Sequence, residues 1–257
     1  MQLTVIGCAG SYPVPSSPAS CYLITTHDAT IVADLGNGAL GPLQAAVDLT
    51  QIDAIVISHL HADHCIDLTA LYGRLRYSPV PLTKRIPVYG PAGLSKRLRL
   101  AYSSQGDNDL TDIFEFRRLN PNTAFRVGSV QVSCAEVAHP GDSYALRFES
   151  DGRSLTYSGD TGECEALVRL AHESHIALFE AACLEPQPGQ PPLAADLHMS
   201  GVGAGRMARR SQSDRLILTH FVGWNEHDGQ HARELAEART EFLGDIDVAR
   251  QGAVWTV

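Results

Sequence analysis

The densest chemistry in the sequence lies in Ser58-His59-Leu60-His61-Ala62-Asp63-His64-Cys65-Ile66-Asp67, which follows an apolar run and precedes a helical pattern. Four candidate metal ligands, His59, His61, Asp63 and His64, fall within six residues. If strand geometry persists past Ile57, His59 and His61 point the same way, because alternate residues share a face. Asp63 and His64 then fall on the turn that follows, which allows two adjacent sites. The bland alternative is a polar loop of surface histidines. Imidazole and carboxylate together suit Zn²⁺ and neighbouring divalent ions, and a catalytic site keeps one position open for water. More donors must then come from elsewhere. His139 in Ala138-His139-Pro140-Gly141, Asp160 in Ser158-Gly159-Asp160-Thr161 and His220 in Thr219-His220-Phe221 each sit where a strand ends. Taken singly, each reads as a structural residue.

The elements that would carry these side chains alternate along the chain. Leu3–Ile6, Cys21–Ile24 and Thr30–Ala33 read as strands, Gly41–Leu49 as a helix, Ala54–Ile57 as a buried strand and Asp67–Tyr77 as a helix. Residues 79–122 are less regular, with a strand at Ile86–Tyr89 and a helix over Gly93–Tyr102, and are the candidate lid or insertion. Strands then follow at Phe114–Arg118, Val130–Val137, Tyr144–Phe148, Ser154–Tyr157, Ile176–Phe179 and Leu216–Thr219. Helices are expected over Glu163–Ala171, Ser200–Arg210 and 228–242, with two short strands at the end. With no repeat and no low-complexity linker, residues 1–257 read as one α+β, or layered α/β, domain.

Composition bounds the partners. The chain has 257 residues, 44% of them hydrophobic, and a formal charge of −9. Its pI of 5.6 argues against an extended nucleic-acid surface. The basic cluster Lys84-Arg85 and Lys96-Arg97-Leu98-Arg99 reads as a solvated helix face. Six cysteines show no CxxC pair, the first ten residues read as a strand rather than a leader, and no run nears the ~20 apolar residues of a membrane span. The expected location is the cytoplasm, with no membrane partner. Cys65 reads as a packing residue, Asp142, Ser143 and Tyr144 as a turn and strand start, and His227 and His231 as exposed.

Taken together, these segments resemble the metallo-β-lactamase superfamily over nearly the whole chain, with five motifs in family order from Ala33-Asp34-Leu35-Gly36 onward. The resemblance implies a four-layer αββα sandwich of two mixed β-sheets with metals at one edge. It implies one metal held by His59, His61 and His139, a second by Asp63, His64 and His220, and Asp160 bridging them. Asp34 would orient the ligand loop. Two divalent ions follow, Zn²⁺ in the first instance with Mn²⁺ or Fe as alternatives. Flavodiiron oxidoreductases of this fold resemble His-x-Glu-x-Asp where this chain has His61, which favours hydrolysis over redox chemistry. Such a metal pair supplies hydroxide near neutral pH and clamps phosphoryl oxygens; Asp63 would orient the hydroxide or accept its proton.

Asp196-Leu197-His198-Met199-Ser200 resembles the extra motif of the phosphodiesterase and tRNA 3′-endonuclease branch. By that resemblance His198 is the general acid or a phosphate contact and Glu180 its orienter, against a reading in which His198 only caps the next helix. The tRNA endonucleases carry a long arm between the third-motif His and the bridging Asp, and the twenty-one-residue spacing of His139 and Asp160 leaves no room for one. The opening glycine- and serine-rich segment and the Tyr157–Gly162 stretch are similar to atypical cyclic-AMP phosphodiesterases of actinobacteria. The expectation is therefore a 3′,5′-cyclic nucleotide phosphodiesterase. The alternatives are a ribonuclease Z-like tRNA endonuclease, a glyoxalase II-like thioesterase or lactonase, and a metal-stabilised binding protein without turnover. Branch relatives point to a homodimer, and no feature identifies its interface.

Overall fold

A computed structural model describes residues 1–103, 109–121, 123–223 and 231–257. The first half of the chain runs β1 (Gln2–Gly7), β2 (Ala9–Gly10), β3 (Cys21–Thr25), β4 (Thr30–Ala33), α1 (Leu40–Ala46), β5 (Ala54–Val56), α2 (Ala62–Cys65), α3 (Leu68–Arg76), β6 (Ile86–Gly90), α4 (Leu94–Tyr102) and β7 (Phe114–Arg118). The second half runs β8 (Phe125–Val127), β9 (Val130–Glu136), β10 (Tyr144–Ser150), β11 (Arg153–Tyr157), α5 (Glu165–Leu170), β12 (Ile176–Glu180), α6 (Gly201–Arg210), β13 (Arg215–Thr219), β14 (Phe221–Val222), α7 (Ala232–Arg239), β15 (Asp245–Val248) and β16 (Val254–Thr256).

Two seven-stranded sheets result, ordered β16-β1-β3-β4-β5-β6-β7 and β15-β13-β12-β11-β10-β9-β8. Each is antiparallel at one end and parallel at the other: β4 to β7 run parallel in the first, β11, β12, β13 and β15 in the second. The period of two along each strand divides its side chains between layers. On β3, Tyr22 and Ile24 enter the core between the sheets, whereas Cys21 and Leu23 face a second core shared with residues of α1, α3 and α4. On β12, Ile176 and Leu178 join the central core, and Ala177 and Phe179 pack with Leu167 of α5 and Met207 of α6. Both faces of each sheet are thus covered, which gives the αββα order of layers. Among the described residues no helix is long and apolar enough to cross a membrane.

Residues 79–122, expected as a lid or insertion, contain β6 and β7, the last two strands of the first sheet, with Ile86 and Phe114 in its outer core. The alternating signal there is short, and the two strands are held by parallel pairing of β6 to β5 and of β7 to β6. β8, three residues long, gives too little periodicity to be read from sequence and is held by antiparallel pairing to β9. Asp63 and His64 lie in the short helix α2 rather than on an open turn.

This order of strands aligns the chemistry. In the second sheet β9 runs in the same direction as β11, β12 and β13, since antiparallel β10 separates it from β11. Their C-terminal ends therefore share one edge, where His139, Asp160, Glu180 and His220 sit, the position at which open α/β sheets place their ligands. The ligand-bearing helix α2 is brought against the first sheet by Gly36: a Cβ there would lie 1.9 Å from the Asp63 carbonyl oxygen. Replacing Gly36 by Ala forces the two segments apart, and overpacking of this kind costs about 1–3 kcal/mol. The expected result is a midpoint lower by roughly 2–4 °C per kcal/mol for a chain of this size, read by thermal unfolding beside the parent protein.

Candidate metal centre

The residues singled out in sequence come together at the edge between the two sheets. Donor atoms of His59, His61, His139 and Asp160 lie within 4.8 Å of one another, as do those of Asp63, His64, Asp160 and His220. Asp160 belongs to both groups: its Oδ2 is 3.6 Å from His59 Nε2 and 3.3 Å from His220 Nε2, and its Oδ1 is 3.1 Å from His64 Nε2. His61 presents Nδ1, which is 3.0 Å from His59 Nε2 and 3.3 Å from His139 Nε2. Asp160, Glu180 and His198 form a third donor group against the same edge.

Contacts behind the donors set which ring nitrogen faces inward. Asp34 is fully buried, and its Oδ2 accepts from His64 Nδ1 at 2.7 Å, from Ser58 Oγ at 2.8 Å and from Tyr157 Oη at 2.8 Å. Its Oδ1 accepts the Ser58 backbone N–H at 2.7 Å. Because the Ser58 hydroxyl proton is given to Asp34, its lone pair takes the Nδ1–H of His59 at 3.1 Å. His139 Nδ1 donates to the Leu197 carbonyl at 2.7 Å, and His220 Nδ1 lies 3.1 Å from Ser20 Oγ. Each of these four rings is left with Nε2 directed at the centre, the arrangement metal-binding imidazoles require. Ser11, from the turn-rich opening, donates its N–H to Asp63 Oδ2 at 2.7 Å.

Charge and burial fit the group to cations. His64 Nε2, His220 Nε2 and Asp160 Oδ1 are buried polar atoms with no hydrogen-bond partner among the described residues, a cost that a bound cation removes. Burial and the neighbouring His64 push the His59 imidazole well below its ordinary value, toward the neutral ligand form. Burial opposes charge on His64, but the carboxylates of Asp160 and Asp34 outweigh it and hold that ring well above its ordinary value. Asp160, buried yet faced by His220, His64 and His59, is held well below the usual carboxylate range. Two nitrogen-and-oxygen donor sets that share one carboxylate suit a pair of divalent ions.

Glu180, the last residue of β12, is fully buried, and its Oε1 lies 3.0 Å from His198 Nδ1. The backbone N–H groups of Thr161 and Ala182 donate to the two carboxylate oxygens at 2.7 and 3.3 Å. Burial opposes protonation of His198, but the hydrogen bond and charge of Glu180 carry it up to about 9. The next helix is capped by Ser200, whose side chain accepts from Gly203 N, so His198 is not the cap. Two positions of the ligand frame hold left-handed backbone, Asp34 at φ 57° and His220 at φ 58°, conformations that persist where surrounding contacts fix them.

Other expectations resolve locally. Cys65 is buried, with its Sγ 3.3 Å from the His61 carbonyl oxygen, and burial pushes its thiol up to about 11. Tyr144 opens β10, and its N–H donates to the Ser58 carbonyl at 3.1 Å. His231, expected to be exposed, is half-buried because its ring stacks on Phe221 with centroids 3.7 Å apart. His227 lies outside the described residues.

A two-sheet αββα sandwich with a bridged His/Asp centre at one edge defines a metallo-β-lactamase-fold protein. Residues 29–221 match the family model described as "Beta-lactamase superfamily domain", and the chain belongs to that family. It is 37% identical to an uncharacterized protein of Mycobacterium leprae, covering 100% of this chain and 89% of that one. It is 27% identical to the probable metallo-hydrolase YhfI of Bacillus subtilis, over 99% of both chains. The crystal structure of YhfI superposes with a TM-score of 0.85, covering 99% of this chain and 98% of that one. Ribonuclease Z of Salinispora arenicola is 26% identical, over 97% of this chain and 94% of its own.

The centre makes a direct prediction about Asp34. Replacing it by Asn keeps the shape but removes the charge that sets the His64 tautomer and anchors Ser58. Calorimetric titration of chelator-stripped protein is expected to show two equivalents of Zn²⁺ or Mn²⁺ bound by the parent, and affinity about 10–100-fold weaker in Asp34→Asn.

Proposed function

We propose that the chain is a dinuclear metal-dependent phosphodiesterase whose best-fitting substrate is a 3′,5′-cyclic nucleotide, with cyclic AMP the first candidate. The observation that carries this reading is His198, held by buried Glu180 in a donor group with Asp160, where a leaving oxygen would need a proton. Family membership and the paired donor sets support the broader statement that the chain is a metallo-hydrolase.

His59, His61 and His139 would hold one ion, Asp63, His64 and His220 the other, and Asp160 both. Such a pair, when bound, supplies hydroxide near neutral pH and neutralises phosphoryl oxygens. The chain's own residues do the remaining work. Asp63, fixed through Oδ2 by the Ser11 N–H, is the carboxylate placed to orient the attacking water or take its proton. His198 is kept protonated by Glu180 and delivers the Nε2 proton to the departing 3′-oxygen, so the ring opens to a 5′-monophosphate. The Leu197 carbonyl that orients His139 precedes His198 in the chain, so one segment positions a ligand and the acid together.

The ribonuclease Z relative favours RNA as a second reading. The short path from His139 to Asp160 weighs against it, because β10, β11 and the Asp151-Gly152 turn occupy most of that stretch and leave no substrate arm. A thioesterase or lactonase would use the same donors without needing the His198 and Glu180 pair.

Hydrolysis of cyclic AMP by Zn²⁺- or Mn²⁺-loaded protein, measured beside His198→Ala, separates these readings. The expected outcome is turnover that drops by roughly 10²–10⁴-fold in the variant. Thioester or lactone hydrolysis that proceeds equally well in both proteins, with cyclic AMP left intact, would overturn the proposal.

A further inference from the structure

Lys96-Arg97-Leu98-Arg99, expected from sequence to be a solvated helix face, is divided by the fold. α4 starts from Gly93, held at φ 88° beside Leu60, and Leu94 and Leu98 enter the outer core of the first sheet. Arg97, one turn beyond Gly93, is thereby carried to the rim of the metal centre. A cleft of about 490 Å³ opens there, lined by His59, His61, Arg97, Pro140, Gly141 and Asp142.

Two neighbouring cations, Arg117 and Arg118, are already engaged. Arg117 donates to Tyr89 Oη at 2.7 Å and to Glu115, and Arg118 pairs with Asp142 at 4.0 Å. Asp142 shares the cleft with Arg97 yet is paired with Arg118. The Arg97 side chain makes no hydrogen bond or ion pair among the described residues, so the uncommitted charge in the cleft is positive. A second groove of about 450 Å³ adjoins it at Ala92 and is lined by Lys96, Arg99, Arg117 and Arg118. In a chain of net charge −9, this concentration of cationic side chains favours anions locally.

We propose that Arg97 is a substrate-contacting residue, donating from its guanidinium to a phosphate oxygen of the anionic substrate held over the metal donors. The proposal rests on the phosphodiesterase reading. A planar fork of donors matches a phosphate, and charge-assisted bonds of this kind are among the stronger hydrogen bonds. Arg97 is exposed, so its replacement leaves the core intact.

Arg97→Gln and Arg97→Lys, loaded with two equivalents of metal, are compared with the parent in two assays: hydrolysis of bis(p-nitrophenyl) phosphate, and calorimetric binding of inorganic phosphate. The expected result for Arg97→Gln is KM raised about 10–100-fold with kcat within about threefold, and phosphate affinity weakened to a similar degree. Arg97→Lys recovers part of both, and metal uptake is unchanged. Parental KM and parental phosphate affinity in Arg97→Gln would overturn the assignment. If the parent hydrolyses no phosphodiester, the phosphodiesterase reading fails by itself, and the phosphate titration decides Arg97: weakened binding in Arg97→Gln supports it and unchanged binding removes it.

Discussion

One buried carboxylate ties the rest of the structure to the metal centre. Asp34 sits at the end of β4 and accepts four hydrogen bonds: from Ser58 beyond β5, through both N–H and hydroxyl, from His64 on α2, and from Tyr157 at the end of β11. Three of these donors belong to the first sheet and its ligand loop, and the fourth reaches across from the second. An unpaired buried carboxylate would be strongly destabilising, so the sheets must meet in the register that satisfies all four contacts. The left-handed backbone at Asp34 turns the side chain inward and is held by the same contacts. Through Ser58 and by direct contact this single side chain governs the orientation of two imidazoles, His59 and His64, one in each donor set.

The centre concentrates like charges and orphaned polar atoms in a way that packing alone would not favour. Asp63 and Asp160 face His59, His64 and His220 at 3.1–3.9 Å, and three buried polar atoms among them have no hydrogen-bond partner. Natural cores avoid this arrangement unless a ligand completes it. Close backbone approaches make room for it: Gly36 admits the Asp63 carbonyl, Gly10 admits His220 and Gly162 admits the Ala195 carbonyl, each where a Cβ would fall within 2.7 Å of an atom. These glycines matter for their absent side chains more than for backbone freedom, since none of the three needs a positive φ.

Much of this was legible along the chain because the relevant spacing is local. His59, His61, Asp63 and His64 lie within six residues behind a buried strand, and the strands that end at His139, Asp160 and His220 have clear alternation. What stood on resemblance was their convergence, and with it the pairing of His198 with Glu180. The supports were not readable: Ser11 contributes a backbone N–H, Leu197 a backbone carbonyl, and Ser20 a hydroxyl from 200 residues before its histidine. Such groups carry no signature, since any residue type has the same backbone. The placement of β6 and β7, within residues 79–122, was hidden for a related reason. The irregular composition there marks loops, but parallel pairing of β6 and β7 to the sheet is a long-range event.

The sequence by itself determined where most strands and helices fall, though not β8 or α2, which donor types are present, and that several stand at strand ends, because periodicity and turn chemistry act over a few residues. Tertiary structure decided which nitrogen of each histidine faces the centre and which carboxylate two donor sets share. It also decided which member of a basic helix stretch turns toward the cleft and which remain on the surface. Those outcomes depend on the register between two sheets whose strands are far apart in the chain, and distances of about 3 Å between such strands are set only when both cores have packed.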